Sequence, residues 1–214
     1  MKGFSVEKIE VRPGRAFIIA EAGSNFNGSI EIAKKLIDAA AAAKADAVKF
    51  QTFKAEKVIA AGIGKPSYQS KKGETETYQE SLKKFEISEK EHIALKDYCE
   101  KKGIIFMSTP HGQEESVDLL ERIGVSSYKI ASGDITNTPF LECVAKTGKP
   151  VFLSAGMSVM PEIKRAADAI RAAGNQKLVL MQCTSSYPTK IEDVNMLAMK
   201  TIGVECNCLI GVSD

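Results

Sequence analysis

With 214 residues, of which 44% are hydrophobic and 26% charged, the chain can bury a core as one sizeable domain or two small ones. Its 29 basic and 27 acidic residues are intermixed and leave a net charge of +2, so there is no basic face or tail of the kind that nucleic acid or an anionic membrane surface demands. Residues Met1 to Lys8 lack the apolar core of a signal peptide and no run approaches a membrane span, which makes a cytoplasmic location the expectation. The five cysteines, Cys99, Cys143, Cys183, Cys206 and Cys208, are odd in number and scattered, and read as reduced thiols. Cys206-Asn207-Cys208 has no second pair or histidine at zinc-site spacing.

In chain order, Arg12-Pro13-Gly14-Arg15 is a turn signal, followed by the strand-like run Phe17-Ile18-Ile19-Ala20, which stops at Glu21. Ala22 to Gly28 is a loop by composition. Ser29 caps a predicted helix with apolar positions Ile32, Leu36, Ile37 and Ala40 at helical spacing. The next strand, Ala45 to Gln51, sets Val48 and Phe50 on one face and Lys49 and Gln51 on the other. From about residue 52 to 87 the chain is polar, carries Gly62, Gly64, Pro66 and Gly73, and includes the run Lys71 to Thr77. It reads as an inserted loop with some helix that covers an active site. Ser88 and Glu91 form a capping box for a helix through Ile93, Leu95 and Tyr98 to Lys102-Gly103.

A regular alternation follows: strand Ile104 to Ser108, helix Glu114 to Ile123, strand Ser127 to Ala131, helix Pro139 to Lys146, strand Val151 to Ser154. It continues with helix Pro161 to Ala173, strand Leu178 to Gln182, a polar loop with Tyr187-Pro188, a short helix near Asp193 to Met199, and strand Leu209 to Ser213. The strand Ser127 to Ala131 plants Lys129 in a segment otherwise built for burial, and Ser132-Gly133-Asp134 follows as a tight polar turn. Lys129 either points into the sheet interior beside an anion site or lies on an edge strand with its head in water.

Strands that alternate with helices imply parallel pairing, in an open doubly wound sheet or a (β/α)8 barrel. Polar residues at the ends of many strands favour the barrel: Glu21, Lys49 with Gln51, Ser108 with Thr109, Lys129 with Ser132, Ser154, Gln182 and Ser213 with Asp214. The loop after the first strand has no G-x-G-x-x-G, and the doubly wound sheet is the runner-up. The expectation is an α/β fold, a (β/α)8 TIM barrel that is incomplete at about seven βα units, and a single domain over residues 1–214 truncated at its C-terminal end. The edges of strands one and seven would then be prone to aggregation.

Two inward lysines, Lys49 and Lys129, with hydroxyls from Thr109, Ser132 and Ser154 around them, describe a pocket for a small multiply charged anion such as a phosphate that also bears a carboxylate. Glu21 and Asp134 at the same rim could act as general acid and base or bind sugar hydroxyls. Asp134 could instead bond only its own turn.

Seven stretches carry a family resemblance in register: Phe17 to Gly28, Asp46 to Phe53, Ser108-Thr109-Pro110, Tyr128 to Asp134, Leu153 to Met157, Gln182 to Pro188 and Gly211 to Asp214. Together they resemble the sialic acid synthase family over essentially the whole chain. The resemblance implies a TIM-barrel enzyme that condenses phosphoenolpyruvate with an N-acetylmannosamine-type sugar to give a nine-carbon 2-keto acid and phosphate, in a full-length homodimer. It implies that Lys49, Thr109, Lys129, Ser132, Ser154, Ser185 and Ser213 hold phosphoenolpyruvate. Glu21, Gln51, Asp134 and Tyr187 would face the sugar and the reacting carbons, with Glu21 and Asp134 as proton-transfer groups. A divalent metal, Mn2+ or Mg2+, would polarise the sugar aldehyde.

Three departures stand out. Phe26 occupies a position where the family usually has histidine, and His111 one where it usually has phenylalanine. The chain ends at Asp214, before the family's two metal-binding histidines and its C-terminal antifreeze-like domain. The expectation is therefore no metal ligand in this chain and no activity from this piece alone. The alternatives are a 3-deoxy-sugar-phosphate synthase, for which a second set of basic residues is lacking, and a non-catalytic remnant that binds an anion or a partner. Within the class, a different sugar such as a legionaminate precursor stays open.

Overall fold

The computed structural model describes residues 3–65, 75–111 and 114–214. Pro66, Gly73 and the stretch 71–74 of the expected insertion lie outside these residues. The chain divides into two compact units, one spanning Ile19–Gly124 and the other combining the segment up to Ile18 with Val125–Asp214. Among the described residues no helix is long and apolar enough to cross a membrane.

The first elements form an antiparallel hairpin, β1 (Phe4–Val6) and β2 (Ile9–Val11), that the sequence pattern does not reveal. Three residues per strand are too few for a period-2 signal to emerge. The anticipated turn is present, with Arg15 N–H donating to Arg12 O at 3.3 Å.

In the unit Ile19–Gly124, three parallel strands run in the order β3 (Ile19–Glu21), β4 (Ala47–Thr52) and β5 (Ile105–Pro110). Register sets Glu21 beside Lys49 and Gln51 beside Thr109. The strands alternate with α1 (Ile30–Ala42), the short α2 (Ala55–Val58) and α3 (Tyr78–Lys83), α4 (Glu89–Lys102) and α5 (Glu114–Ile123). Ser29 accepts the N–H of Ile32 at the start of α1, and Ser88 with Glu91 forms the expected capping box of α4. Gly103 closes α4 in the left-handed conformation at φ +70°.

Two expected core positions are corrected. Ile32 and Ile93 are exposed, and the buried stripes run through Ala33, Ile37 and Ala40 in α1 and through His92, Leu95 and Cys99 in α4. The phase of α4 puts His92 in the core because its ring is satisfied there. Nδ1 lies 3.0 Å from Ser88 O and Nε2 lies 2.8 Å from Thr52 Oγ1, which in turn lies 2.7 Å from Ser108 Oγ. A carbonyl only accepts, so Nδ1 carries the proton, Nε2 accepts from Thr52, and Thr52 accepts from Ser108. This buried relay joins the first turn of α4 to the ends of β4 and β5.

The second unit carries four further parallel strands in the order β6 (Tyr128–Ile130), β7 (Val151–Ser154), β8 (Leu178–Gln182) and β9 (Leu209–Val212). Between them lie a 3-10 turn at Ser132–Asp134, α6 (Thr138–Lys146), α7 (Met160–Ala172), a 3-10 turn at Ile191–Asp193 and α8 (Ala198–Cys206). Phe17 stacks on Phe152 at 5.5 Å and Phe4 meets the same ring edge-on at 6.5 Å, which seats the hairpin on β7. The helix expected near Asp193 to Met199 lies later in the chain than its sequence signals suggest. Asn195 takes a left-handed conformation, and the helix that follows buries Ile202, Gly203 and Cys206. A Cβ on Gly203 would stand 2.9 Å from Ile210, so glycine permits this close helix-strand approach. The five cysteines are free thiols; burial pushes Cys99 up to about 12 and Cys208 to about 11.

Burial also holds the pKa of His92 below its ordinary value. The unfolded chain then binds the extra proton first on acidification, so stability is fully present above about pH 6.5 and falls as the pH drops toward the lower folded value. Carboxylates with lysine or capping partners, such as Asp38 beside Lys102 and Glu91 beside Ser88, have lowered pKa values and act below about pH 4.5. The wild-type melting temperature is therefore expected to decline as the pH falls below about 6.5, with each tenfold change in proton affinity worth about 1.4 kcal/mol. His92→Gln should flatten that slope, and equal slopes in paired melts would count against the assignment.

Candidate functional site

The polar groups of the unit Ile19–Gly124 gather at the C-terminal ends of its strands. Lys49 is only 7% exposed although it is charged, and its Nζ pairs with the carboxylate of Glu21, whose side chain is 44% exposed. The N–H groups of Ala22 and Gly23 both donate to Lys49 O, at 2.9 and 3.0 Å, and turn the chain across the end of β4. Gly23 has φ +37°, and a Cβ there would lie 2.6 Å from Glu21 Oε1 and 3.4 Å from Gln51 Nε2. Glycine thus lets both side chains approach the backbone. Thr109, opposite Gln51, is buried.

Beyond Gln51 opens a cavity of about 380 Å3. Phe53, Val58, Leu82 and Phe85 supply apolar walls, and Ser24, Gln51, Tyr78, Ser81 and His111 supply polar groups. Phe26 is buried edge-on to Phe50 and Phe85, at 6.2 and 6.3 Å.

In the second unit Lys129 is 6% exposed on β6, which rules out the solvated edge-strand reading. Its Nζ donates to Ser154 Oγ at 2.5 Å and to Ile130 O at 3.3 Å. Ser154, at the end of β7, is itself buried. Gly156 has φ +52°; a Cβ there would collide with the Ser132 side chain and stand 3.1 Å from Ser185 Oγ. Ser132 and Ser185 therefore close over a position that only a bare Cα can fill. Asp134 is half-buried in its 3-10 turn. Tyr187 is 64% exposed and precedes a cis peptide bond to Pro188. Ser213 N–H donates to Gln182 O at 2.8 Å, and Ser213 lines a narrow cleft with Gln182, Thr184 and Asp214.

The structure thus assembles Glu21, Lys49, Gln51 and Thr109 in one unit, and Lys129 with Ser154 and Ser132 with Ser185 in the other. Sequence reasoning missed the buttress of His92, Thr52 and Ser108, and the close approaches at Gly23 and Gly156. A single glycine in a polar loop, or a histidine on an otherwise polar helix, carries no periodic signal. The apolar wall of the cavity is also hidden in a segment that reads as polar. Among the described residues no group of three or more His, Cys, Asp or Glu side chains is arranged to hold a metal ion.

Parallel strands alternating with helices, with buried lysines and hydroxyls toward the strand ends, define the chain as an α/β synthase-type fold, an incomplete (β/α)8 barrel. A superposition supports this class: the sialic acid synthetase of Leptospira borgpetersenii, crystallised with citrate, matches with a TM-score of 0.88 and 33% identity over 100% of this chain and 70% of that one. The doubly wound alternative is set aside by that match. The chain belongs to the NeuB family, whose model matches residues 36–214. It is similar to the N,N'-diacetyllegionaminic acid synthase of Legionella pneumophila, with 43% identity over 203 residues, 92% of this chain and 57% of that enzyme. It is also similar to human N-acetylneuraminate-9-phosphate synthase, with 36% identity over 198 residues, 88% of this chain and 54% of the relative. The chain thus spans a little over half the length of these curated relatives.

Gly156→Ala is expected to combine backbone strain with the collision against Ser132, and to destabilise by more than about 1 kcal/mol. Gly174→Ala is its control, because that glycine also has a positive φ, +92°, but no atom lies within 4 Å of an added Cβ. Denaturant melts of both should show the larger loss at 156; equal losses would mean that the packing over Gly156 is loose.

Proposed function

We propose that the protein condenses phosphoenolpyruvate with an N-acetylmannosamine-type sugar and releases phosphate, forming a nine-carbon 2-keto acid such as N-acetylneuraminate or legionaminate. The observation that carries this reading is the pair of lysines buried in parallel strands, Lys49 and Lys129, set among oxygen acceptors in a chain of the NeuB family. Desolvated ammonium groups bind a multiply charged anion far more strongly than surface lysines do. The named synthases among its relatives support the reaction class.

In this proposal Lys49, Thr109, Lys129, Ser132, Ser154, Ser185 and Ser213 hold phosphoenolpyruvate. Gln51 and Tyr187 orient the sugar. The enol carbon attacks the open-chain aldehyde; a new C–C bond forms, and the aldehyde oxygen takes a proton. Water then adds at C2, and cleavage of the C2–O bond expels phosphate as the ketone forms. Glu21 and Asp134 are the groups assigned to these proton transfers. Lys49 holds the Glu21 carboxylate in place at the end of β3. A single catalytic domain over residues 1–214, a homodimer of the whole protein and a cytoplasmic setting belong to the same proposal. So does a divalent metal, Mn2+ or Mg2+, as Lewis acid on the aldehyde, although the described residues offer no three-ligand group for it.

Lys129→Met keeps the apolar stem and removes the charge. Calorimetric titration with phosphoenolpyruvate should show a loss of about 2–5 kcal/mol in binding free energy, with the melting temperature largely retained. Unchanged affinity would remove Lys129 from the anion site and the main support for the reading.

A further inference from the structure

An ionisable ring that the condensation does not use is among the most deeply buried side chains of the unit Ile19–Gly124. His92 is fully buried in α4, on the same inward stripe as Leu95 and Cys99. An apolar side chain would fill that place with no polar group to satisfy, whereas an imidazole is tolerated there because both ring nitrogens are bonded. Those bonds lead toward the candidate site.

Side chains alternate along a strand, so Thr52 and Ser108 face away from their neighbours Gln51 and Thr109. Phe106 shares the face of Ser108 and meets the His92 ring edge-on at 6.3 Å and 85°, which sets this face against α4. Gln51 and Thr109 are register partners on the other face. Thr52 is the hub. Its Oγ1 is bonded to His92 of α4 and to Ser108 of β5, and its carbonyl accepts the N–H of His111, just past β5, at 3.2 Å. His92 is anchored in turn on Ser88 O, and the capping box of Ser88 with Glu91 fixes that residue. The ends of β4 and β5 are thus clamped to each other and to α4 at the residues next to Gln51 and Thr109.

Resting on the functional reading above, in which Thr109 holds phosphoenolpyruvate and Gln51 orients the sugar, we infer that His92 is a positioning residue for both. It acts through Thr52 and Ser108, which fix the backbone from which Gln51 and Thr109 project. A hydroxyl displaced by a fraction of an ångström forms a weaker bond to its ligand, and a site held in place beforehand loses less freedom when the ligand binds. The coupling runs both ways, so an anion bound at Thr109 alters the bonding of the His92 ring.

Thr52→Val keeps the branched shape and removes the central hydroxyl, and His92→Leu removes the ring nitrogens. Each should weaken phosphoenolpyruvate binding by roughly fivefold to tenfold in calorimetric titration of the 214-residue protein. His92→Gln, which keeps an uncharged donor and acceptor, should recover most of that loss. Cys99→Ala, also buried on α4 but outside the relay, is the control: it lowers the melting temperature and leaves the affinity at the wild-type value. The chain has two histidines, His92 and His111, so selective nitrogen labelling reads the His92 ring in the unaltered protein. Saturating phosphoenolpyruvate should shift its Nε2 signal, a measurement that needs no variant to fold. Wild-type affinity in Thr52→Val or His92→Leu, an equal loss in Cys99→Ala, or a motionless His92 signal while the anion binds overturns this inference and leaves the condensation reading standing. A wild-type chain that takes up no phosphoenolpyruvate removes the condensation reading, and hydrogen exchange then decides this one. Thr52→Val should speed exchange at the Thr109 and His111 amides beyond that in Cys99→Ala, and equal exchange overturns the positioning role.

Discussion

A charged amine inside a parallel sheet is the constraint to which much of this molecule answers. Parallel strands are covered on both faces, so a lysine within one cannot send its head group to bulk water. Desolvating an ammonium costs several kcal/mol unless hydrogen bonds or an opposite charge replace the lost water. Lys49 meets this through the carboxylate of Glu21, its register neighbour on β3. Lys129 reaches across to β7, where Ser154 accepts its hydrogen bond, and back to the carbonyl of Ile130. The short polar residues at these strand ends are thus structural requirements of the lysines as well as candidate ligands for an anion.

The surroundings are built to keep those groups in place. Two glycines at positive φ, Gly23 and Gly156, let side chains close over bare backbone beside Glu21, Gln51, Ser132 and Ser185. Below the rim of β4 and β5, the relay from Ser108 through Thr52 to His92 satisfies three buried polar side chains with one directional chain of hydrogen bonds. Such a network is rigid because each member has few alternative partners. Its sensitivity to acid follows from the same burial that gives it rigidity.

Local signals make most of the fold legible in advance. The capping box at Ser88 and Glu91, the helix Glu114–Ile123 and the strands Val151–Ser154 and Leu178–Gln182 all lie where propensity and capping place them. The errors share a cause. Ile32 and Ile93 read as core from their chemistry, but helix phase turns His92 inward and Ile93 outward. The last helix begins at Ala198 because its packing against the sheet, including the contact of Gly203 with Ile210, outweighs the weak local preference near Asp193.

By itself the sequence determined that strands alternate with helices, that two lysines lie in segments built for burial, and that seven stretches stand in the order of one synthase family. These are properties of short windows: periodicity, caps and the identities of neighbouring residues. Only the tertiary structure decided that Lys49 is neutralised by Glu21 whereas Lys129 is bonded to Ser154, that His92 is a buried member of a relay, and that His111 and Gln51 share a cavity with four apolar side chains. Each of these pairs residues distant in the chain, and strand register and helix phase create such contacts only when the whole unit packs.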